Sequence, residues 1–231
     1  MAKAKSEPNM ERFNLNQRIQ HSILAVTCLV LFATGLVIKF PDDLGYLAMP
    51  IGGYSTTTAI HRFAGGAILC LMIYHLLYYI SDRTWWKSRE MFPRPSDLVH
   101  PFLDTFYIIG MTDKAKYRKY AYREKIDYWG TIIFFPILIV TGFFMWFPSF
   151  FVAYIAPADY LPALFLVHTM DAILAGFALM LHLYNVHLSP GFFPANWTMF
   201  TGQISPERAE EEFPMWYEKR KEEGRLFEHE D

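Results

Sequence analysis

The stretch HRFAGGAILCLMIYH, residues 61–75, places two histidines fourteen positions apart in a segment that is otherwise almost entirely apolar. The stretch HTMDAILAGFALMLH, residues 168–182, repeats that spacing. On an α-helix, fourteen residues return to within about 40° of the same face and rise about 21 Å. Each stretch therefore predicts a helix that carries two imidazoles on one side, one near each end.

The rest of the chain has the composition of a membrane protein. Of its 231 residues, 53% are hydrophobic, and the charges are confined to blocks separated by long uncharged runs. Four runs, at about 20–40, 60–80, 128–148 and 161–188, approach or exceed the length that crosses about 30 Å of hydrocarbon. Because lipid leaves no backbone group unpaired, these runs are predicted as helices. The expected fold is all-α, an integral membrane four-helix bundle.

Lysine and arginine indicate how the bundle is oriented. The segment 81–126 holds ten of them, the first twenty residues hold four and the tail from 189 holds five, whereas 41–58 and 149–160 hold none. The positive-inside rule therefore places both termini and the middle loop in the cytoplasm. This predicts a cytoplasmic N-terminal segment (1–19), a transmembrane domain (20–188) and a cytoplasmic tail (189–231).

A weak tandem repeat relates the two halves of the chain. TGLVIKFP, which starts at Thr34, matches TGFFMWFP, which starts at Thr141, at an offset of 107 residues. The same offset carries the first histidine pair onto the second, and aligns QRIQH at 17–21 with EKIDY at 124–128. Parallel repeats imply a pseudo-two-fold axis along the membrane normal. The bundle is thus predicted to be two helix hairpins, with the second and fourth helices parallel and facing each other.

Two facing helices with paired histidines would form two sites, each able to hold one metal between two imidazoles. A bare divalent ion would need further carboxylate or thiolate ligands, which are mostly missing. Haem needs only two axial ligands and an apolar slot, because the porphyrin supplies the other four. Small residues that would admit a flat macrocycle are Gly65, Gly66, Ala172, Ala175 and Gly176. Arg62 and Arg18 are candidates for pairing with haem propionates.

Another function class fits part of this pattern. A single histidine in a membrane helix is more often a packing residue or part of a proton path than a haem ligand. A protein that translocates protons or metal ions without haem is therefore the alternative, and Asp171, three residues after His168, is its best support. Against it, the third helix has no charge between 128 and 147. Four histidines at a duplicated spacing favour haem.

The sequence resembles the membrane cytochrome b subunits of bacterial respiratory enzymes, the group that contains the gamma subunit of formate dehydrogenase and the b-type cytochrome of nickel-iron hydrogenase. It also resembles, more loosely, the four-helix core of cytochrome bc complexes. The likeness lies in QRIQHSILA opening helix one, a histidine opening helix two, TGFFMWFP, the two histidines of helix four, and the tail FPANWTMFTGQISPERAEEEFPMWYEKRKEE.

The resemblance implies a multi-pass protein of a bacterial or archaeal cytoplasmic membrane that binds two haems b. Such a subunit passes electrons between an outer iron-sulfur or multihaem cytochrome partner and menaquinone or ubiquinone. The matching ligands are His21, His61, His168 and His182. We expect the partner to dock on the short outer loops, and the basic, aromatic middle loop to contact lipid head groups rather than nucleic acid.

The sequence leaves two candidates for one of the two axial ligands of the inner haem. His61 and His168 are expected to hold the outer haem, and His182 one side of the inner haem. Symmetry favours His75 opposite His182, because the repeat relates the two, whereas the resemblance favours His21. We favour His75 by symmetry, and expect the non-ligand of the two at the quinone site, where histidine can exchange protons near neutral pH.

Two further residues belong to this inner region. His187 and Asn185 are expected as weaker neighbours of the quinone. A third haem, using the surplus histidines together with His187, is the alternative to a count of two.

Overall fold

The computed structural model describes residues 8–81, 89–189, 193 and 195–228. The chain forms two compact units. The transmembrane unit comprises Gln20–Ser81 and Gly130–Ser189, and the polar unit comprises Met1–Ile19, Asp82–Trp129 and Pro190–Asp231. The N-terminal segment, middle loop and tail, which the sequence presents as separate polar segments, thus pack together.

Four long helices carry the apolar runs: α1 (Leu15–Lys39), α3 (Gly53–Ser81), α5 (Tyr122–Trp146) and α7 (Leu161–Leu183). All four are long and apolar enough to cross a membrane, which confirms the predicted number of spans. A 3₁₀ turn (Ala158–Tyr160) and a π-helix (Tyr184–Leu188) extend α7 at its two ends. The short α2 (Pro41–Leu44) with a 3₁₀ turn (Gly45–Ile51), and α6 (Pro148–Tyr154), lie in the two loops that hold no lysine or arginine.

Three of the four helices, α1, α3 and α5, begin before the apolar runs from which they were predicted. The largest difference is at α3, which begins at Gly53 rather than near residue 60. In its first turns the hydroxyls of Thr56, Thr57 and Thr58 each donate to the carbonyl four residues earlier. Such bonds let polar residues continue a helix, so hydropathy marks the lipid-facing part and not the end of the helix.

The transmembrane unit keeps its large apolar side chains on the outside. Phe63 is 75% exposed and Val26 is 64% exposed, as expected of helices that face lipid. Its buried side chains include polar ones, among them Gln20, Thr34 and Thr141. The polar groups therefore lie inside, where the histidines are.

The polar unit has a small core of its own. A two-residue strand β1 (Met10–Glu11) pairs antiparallel with β2 (Gln203–Ile204), a minor departure from the all-α prediction. The helices of this unit are α4 (Pro95–Ile108), α8 (Thr198–Thr201), α9 (Pro206–Glu212) and α10 (Pro214–Glu222). The core residues include Met10, Tyr117, Ile204, Ala209, Phe213 and Trp216.

Buried ion pairs tie the segments of the polar unit together. Arg12 pairs with Glu124 at 2.6 Å, and Lys125 pairs with Asp97 at 2.8 Å. Both cations are almost fully buried, and a buried charge without its partner is strongly destabilising. These pairs therefore fix the N-terminal segment and α4 against the start of α5.

Candidate cofactor site

The transmembrane unit brings four of the predicted histidines together as two facing pairs. His61 on α3 and His168 on α7 have ring centroids 6.5 Å apart, with the rings inclined by 71°. His21 on α1 and His182 on α7 have ring centroids 6.1 Å apart, inclined by 49°. The helix α7 therefore supplies one imidazole to each pair.

Both ring separations suit a single metal held between two imidazoles. A metal lies about 2 Å from an imidazole nitrogen, and the ring centre lies about 1 Å further away, so two such rings have centres about 6 Å apart. Within the described residues, no three His, Cys, Asp or Glu side chains converge as ligands of one ion. Two ligands per site match the axial demand of haem.

A buried threonine fixes the proton on His61. Thr34 Oγ1 donates its hydrogen to the Val30 carbonyl at 2.6 Å and lies 2.9 Å from His61 Nδ1. Because the hydroxyl hydrogen is already used, Oγ1 accepts from Nδ1–H. This leaves the Nε2 lone pair of His61 available for a metal. Ligand histidines are commonly oriented in this way by a bond to the other ring nitrogen.

The same arrangement recurs at His168, at the offset of the tandem repeat. Thr141 Oγ1 donates to the Ile137 carbonyl at 2.6 Å and lies 2.8 Å from His168 Nδ1. The residue after each threonine is a glycine, and a Cβ added at Gly35 or Gly142 would lie 3.3 Å from Cε1 of the neighbouring histidine ring. The repeated TG dipeptide thus orients each imidazole and leaves room for it.

The His21–His182 pair is built differently. His21 Nδ1 is buried and has no hydrogen-bond partner. Buried polar atoms in native structures nearly always have a partner, and where no side chain supplies it the partner is an ordered water or a bound group. The repeat aligns His21 with Tyr128, so no threonine equivalent to Thr34 is expected for it.

The placement of His75 differs from the arrangement favoured by symmetry. His75 Nδ1 lies 2.7 Å from Gln20 Oε1, and its ring packs against Tyr79 at a centroid distance of 4.6 Å. His21, rather than His75, faces His182. The physical reason is that the buried Gln20 amide and the Tyr79 ring hold His75, while the next residue along α1 points to α7. Sequence reasoning missed Gln20, although it stands in the quoted motif QRIQH.

The two neighbours predicted for the inner region lie in the π-helix that follows α7. Asn185 and His187 belong to Tyr184–Leu188, and the Asn185 carbonyl accepts from Ser189 Oγ at 3.0 Å. His187 lies within electrostatic range of both His21 and His182. Single-turn π-helices frequently occur at functional sites.

The arginines predicted to pair with haem propionates, and the small residues predicted to admit the macrocycle, have the following surroundings. Arg62 lies with its guanidinium carbon 5.6 Å from the centre of the Trp146 ring. Arg18 belongs to the polar unit, where its Nε donates to the Phe200 carbonyl at 3.0 Å. A Cβ at Gly65 or Gly66 would meet open space. Their roles toward a macrocycle stay predictions.

Asp171, the support for a translocation function, is 6% exposed, and its Oδ2 has no hydrogen-bond partner. A buried carboxylate without a donor is costly unless it is protonated or met by a bound group. Asp171 lies one helical turn beyond His168, beside the His61–His168 pair.

Comparison with known proteins adds a family match. A family model described as prokaryotic cytochrome b561 matches residues 12–202. The chain is 23% identical over 223 residues to the cytochrome b556(fdo) subunit of formate dehydrogenase from Escherichia coli K12, covering 92% of this chain and 94% of that protein. It is 24% identical over 192 residues to the nitrate-inducible cytochrome b556(Fdn) subunit of formate dehydrogenase from the same strain, covering 83% of each chain.

Proposed function

The chain belongs to the prokaryotic cytochrome b561 family of membrane electron-transport proteins, and from this premise we propose that it is a dihaem cytochrome b. It would be the membrane subunit of a respiratory oxidoreductase complex, passing electrons between a redox partner on the outer face and the quinone pool. The two facing imidazole pairs carry this proposal, because they supply two axial ligands at each of two sites.

The residues of the transmembrane unit have distinct roles in this function. His61 and His168 hold one haem, and His21 and His182 hold the other. When bound, haem supplies one-electron redox chemistry at its iron. Thr34 and Thr141 accept the Nδ1–H bonds of His61 and His168, which leaves the Nε2 lone pairs available to a haem iron, and the surrounding apolar helices exclude water.

The lysine and arginine distribution assigns a side to each haem. The His61–His168 pair lies toward the loops that hold no lysine or arginine and would be the outer site, and the His21–His182 pair lies toward the basic segments and would be the inner site. The two α7 histidines are separated by about 21 Å along the helix. Electrons that pass between the two haems would therefore cross most of the hydrocarbon layer.

The quinone is proposed to bind beside the inner haem, with His75 as its proton-exchanging group. The Gln20 Oε1 accepts from His75 Nδ1–H, which leaves the Nε2 lone pair to accept a proton from a quinol hydroxyl or to share one with a quinone oxygen. Asn185 and His187 in the π-helix are the proposed neighbours. Menaquinone and ubiquinone both have the carbonyl chemistry that this arrangement requires.

The outer partner is proposed to be an iron-sulfur or multihaem cytochrome subunit. The relatives are named as subunits of formate dehydrogenases, which supports a multi-subunit complex. The two loops without lysine or arginine expose large side chains suited to docking, since Met49 and Tyr154 are each 75% exposed and Tyr46 is 68% exposed.

Haem stoichiometry tests the dihaem assignment. A pyridine haemochrome assay of the purified chain should give two haems b, and His61→Ala or His168→Ala should each remove one. His21→Ala should remove the other, whereas His75→Ala should keep both. A preparation without haem absorbance bands would favour translocation through Asp171, and three equivalents would point to a third haem on the surplus histidines.

Quinone turnover tests the role of His75. His75→Gln should retain both haems and lose most of the quinone-dependent oxidation or reduction of the inner haem, because glutamine cannot exchange a proton. Tyr74→Phe, a change on the adjacent residue of α3, is the control. Normal quinone turnover in His75→Gln would contradict this assignment while leaving the dihaem assignment intact.

A further inference from the structure

The helix α4 has its polar side chains turned into the polar unit. Lys125 Nζ donates to Asp97 Oδ2 at 2.8 Å, and the Tyr117 hydroxyl donates to Asp104 Oδ2. The His100 ring lies edge-on to Tyr117 with centroids 5.1 Å apart. The three α4 residues are spaced by three and four positions and so share one face, and their side chains are only 13–16% exposed.

The opposite face of α4 is apolar and exposed. At 100° per residue, the side chains of Leu98 and of the residues that follow it by one, four, eight and eleven positions lie within one arc of about 100° around the helix axis. These residues are Val99, Phe102, Phe106 and Ile109, the last of which directly follows the helix. This outward face is 76% exposed at Leu98, 52% at Val99, 65% at Phe102, 42% at Phe106 and 61% at Ile109. A surface helix in water shows the reverse arrangement, with its apolar stripe against the core.

We propose that α4 lies along the membrane surface, with this face buried at the boundary between lipid head groups and acyl chains. Its 14 residues reach only about 21 Å, too short to span the hydrocarbon. The chain enters the loop from the spanning helix α3 and leaves it through the spanning helix α5, so the loop is held at the bilayer surface at both ends. A strongly amphipathic helix in that position lies in the interfacial plane.

The charges next to this face match an anionic lipid surface. Lys114, Lys116 and Arg118 are all exposed and follow the end of α4 by six to ten residues, with one exposed acidic residue, Asp113, before them. Juxtamembrane basic residues are attracted to the anionic head groups of a bilayer. The polar face of α4 is already occupied by its own unit, so only the apolar face is available to lipid.

Depth-dependent fluorescence quenching tests this contact. The full chain, with Cys28→Ala and Cys70→Ala to remove the native thiols, would carry one new cysteine labelled with an environment-sensitive fluorophore, at Phe102→Cys or Val99→Cys. Glu218→Cys, on an exposed position of α10 in the same unit, is the aqueous control, and Leu77→Cys on α3 is the lipid control. The samples are nanodiscs with phosphatidylglycerol, and native membranes that retain any associated subunits.

In both samples we expect labels at the two α4 positions to emit at shorter wavelength than the label at Glu218→Cys. They should lose severalfold more intensity to a nitroxide near the top of the lipid acyl chain than to aqueous iodide. Strong iodide quenching at both α4 positions would overturn the proposal. So would shielding from both quenchers in native membranes, because that result would show a protein partner on this face. Haem content, measured on the same samples, reports separately on the cofactor sites.

Discussion

Replacing Thr34 by valine would remove the acceptor of the His61 Nδ1–H bond while keeping nearly the same side-chain shape. The bond is 2.9 Å long and Thr34 is only 7% exposed, so water is poorly placed to replace the lost oxygen. A hydrogen bond to Nδ1 makes the imidazole a stronger electron donor, and this stabilises the oxidised metal more than the reduced one. The midpoint potential of the haem at the His61–His168 pair is therefore expected to rise.

The size of this rise follows from the strength of one buried hydrogen bond. A net contribution of about 1 kcal/mol is typical. If that amount stabilises the oxidised form over the reduced form, the rise is about 40 mV, since a tenfold change in equilibrium corresponds to about 59 mV for one electron. Thr141→Val should give a similar rise, and the double variant roughly the sum, because the two threonines bond different rings.

A potentiometric titration followed by optical spectroscopy would measure both proposed haems in one sample. Thr27→Val is the matched control, because Thr27 also lies on α1 and donates to a backbone carbonyl, that of Ile23. The potential of the haem at the His21–His182 pair should be unchanged. An equal response to the Thr34 and Thr27 substitutions, or a shift confined to the other haem, would refute the proposed orientation of His61.

Three further substitutions have outcomes set by the local structure. Gly142→Ala would place a methyl 3.3 Å from His168 Cε1, so the ring must tilt and we expect less haem in a pyridine haemochrome assay. Burial lowers the pKa of Lys119 to about 7. Above about pH 7 the unfolded chain therefore binds one proton more at Lys119 than the folded chain, so the free energy of unfolding rises with pH. In thermal unfolding, Lys119→Met should remove up to about 1 kcal/mol of that rise per pH unit. Gly176→Ala would place a Cβ against the Phe32 ring and should destabilise the α1–α7 contact by about 1–3 kcal/mol, with rescue by Phe32→Leu.

Each substitution has a control within the chain. At Gly45 a Cβ would meet no atom within 4 Å, so Gly45→Ala should leave the haem content unchanged. Lys114 is exposed, so Lys114→Met should keep the pH dependence of the native chain. The explanation for Lys119 would be contradicted if the difference in stability between Lys119→Met and the native chain did not change with pH over this range. The explanation for Gly176 would be contradicted if Phe32→Leu failed to restore the stability lost in Gly176→Ala.

The spans and the shared face of each histidine pair could be predicted from the sequence because both depend on local geometry. Hydropathy reports the lipid-facing length, and fourteen residues return to the same helical face whatever the helix packs against. The partners of the ring nitrogens depend on which helices meet and at what height. Thr34 and Thr141 nevertheless left a signal, since they open the repeated octapeptide at the same offset that relates His61 to His168.

The polar unit was harder to predict. The strands β1 and β2 are two residues long each, too short for an alternating pattern to be visible in the sequence. Their pairing brings together parts of the chain that are 194 residues apart at Met10 and Ile204. The outward apolar face of α4 is likewise visible only once Asp97 and Asp104 are seen to bond within the unit.

The inner pair shows where an argument from symmetry fails to describe the packing. Equivalent residues related by a repeat would all face each other only if α3 and α7 approached equally closely at both ends. The ring contacts instead place α3 against α7 at His168 and α1 against α7 at His182. As a result α7 contributes to both sites while α1 and α3 contribute to one each, and His75 contacts Gln20 and Tyr79. The broken symmetry thus leaves His75 outside the two facing pairs, where it is available for the proton exchange proposed for it.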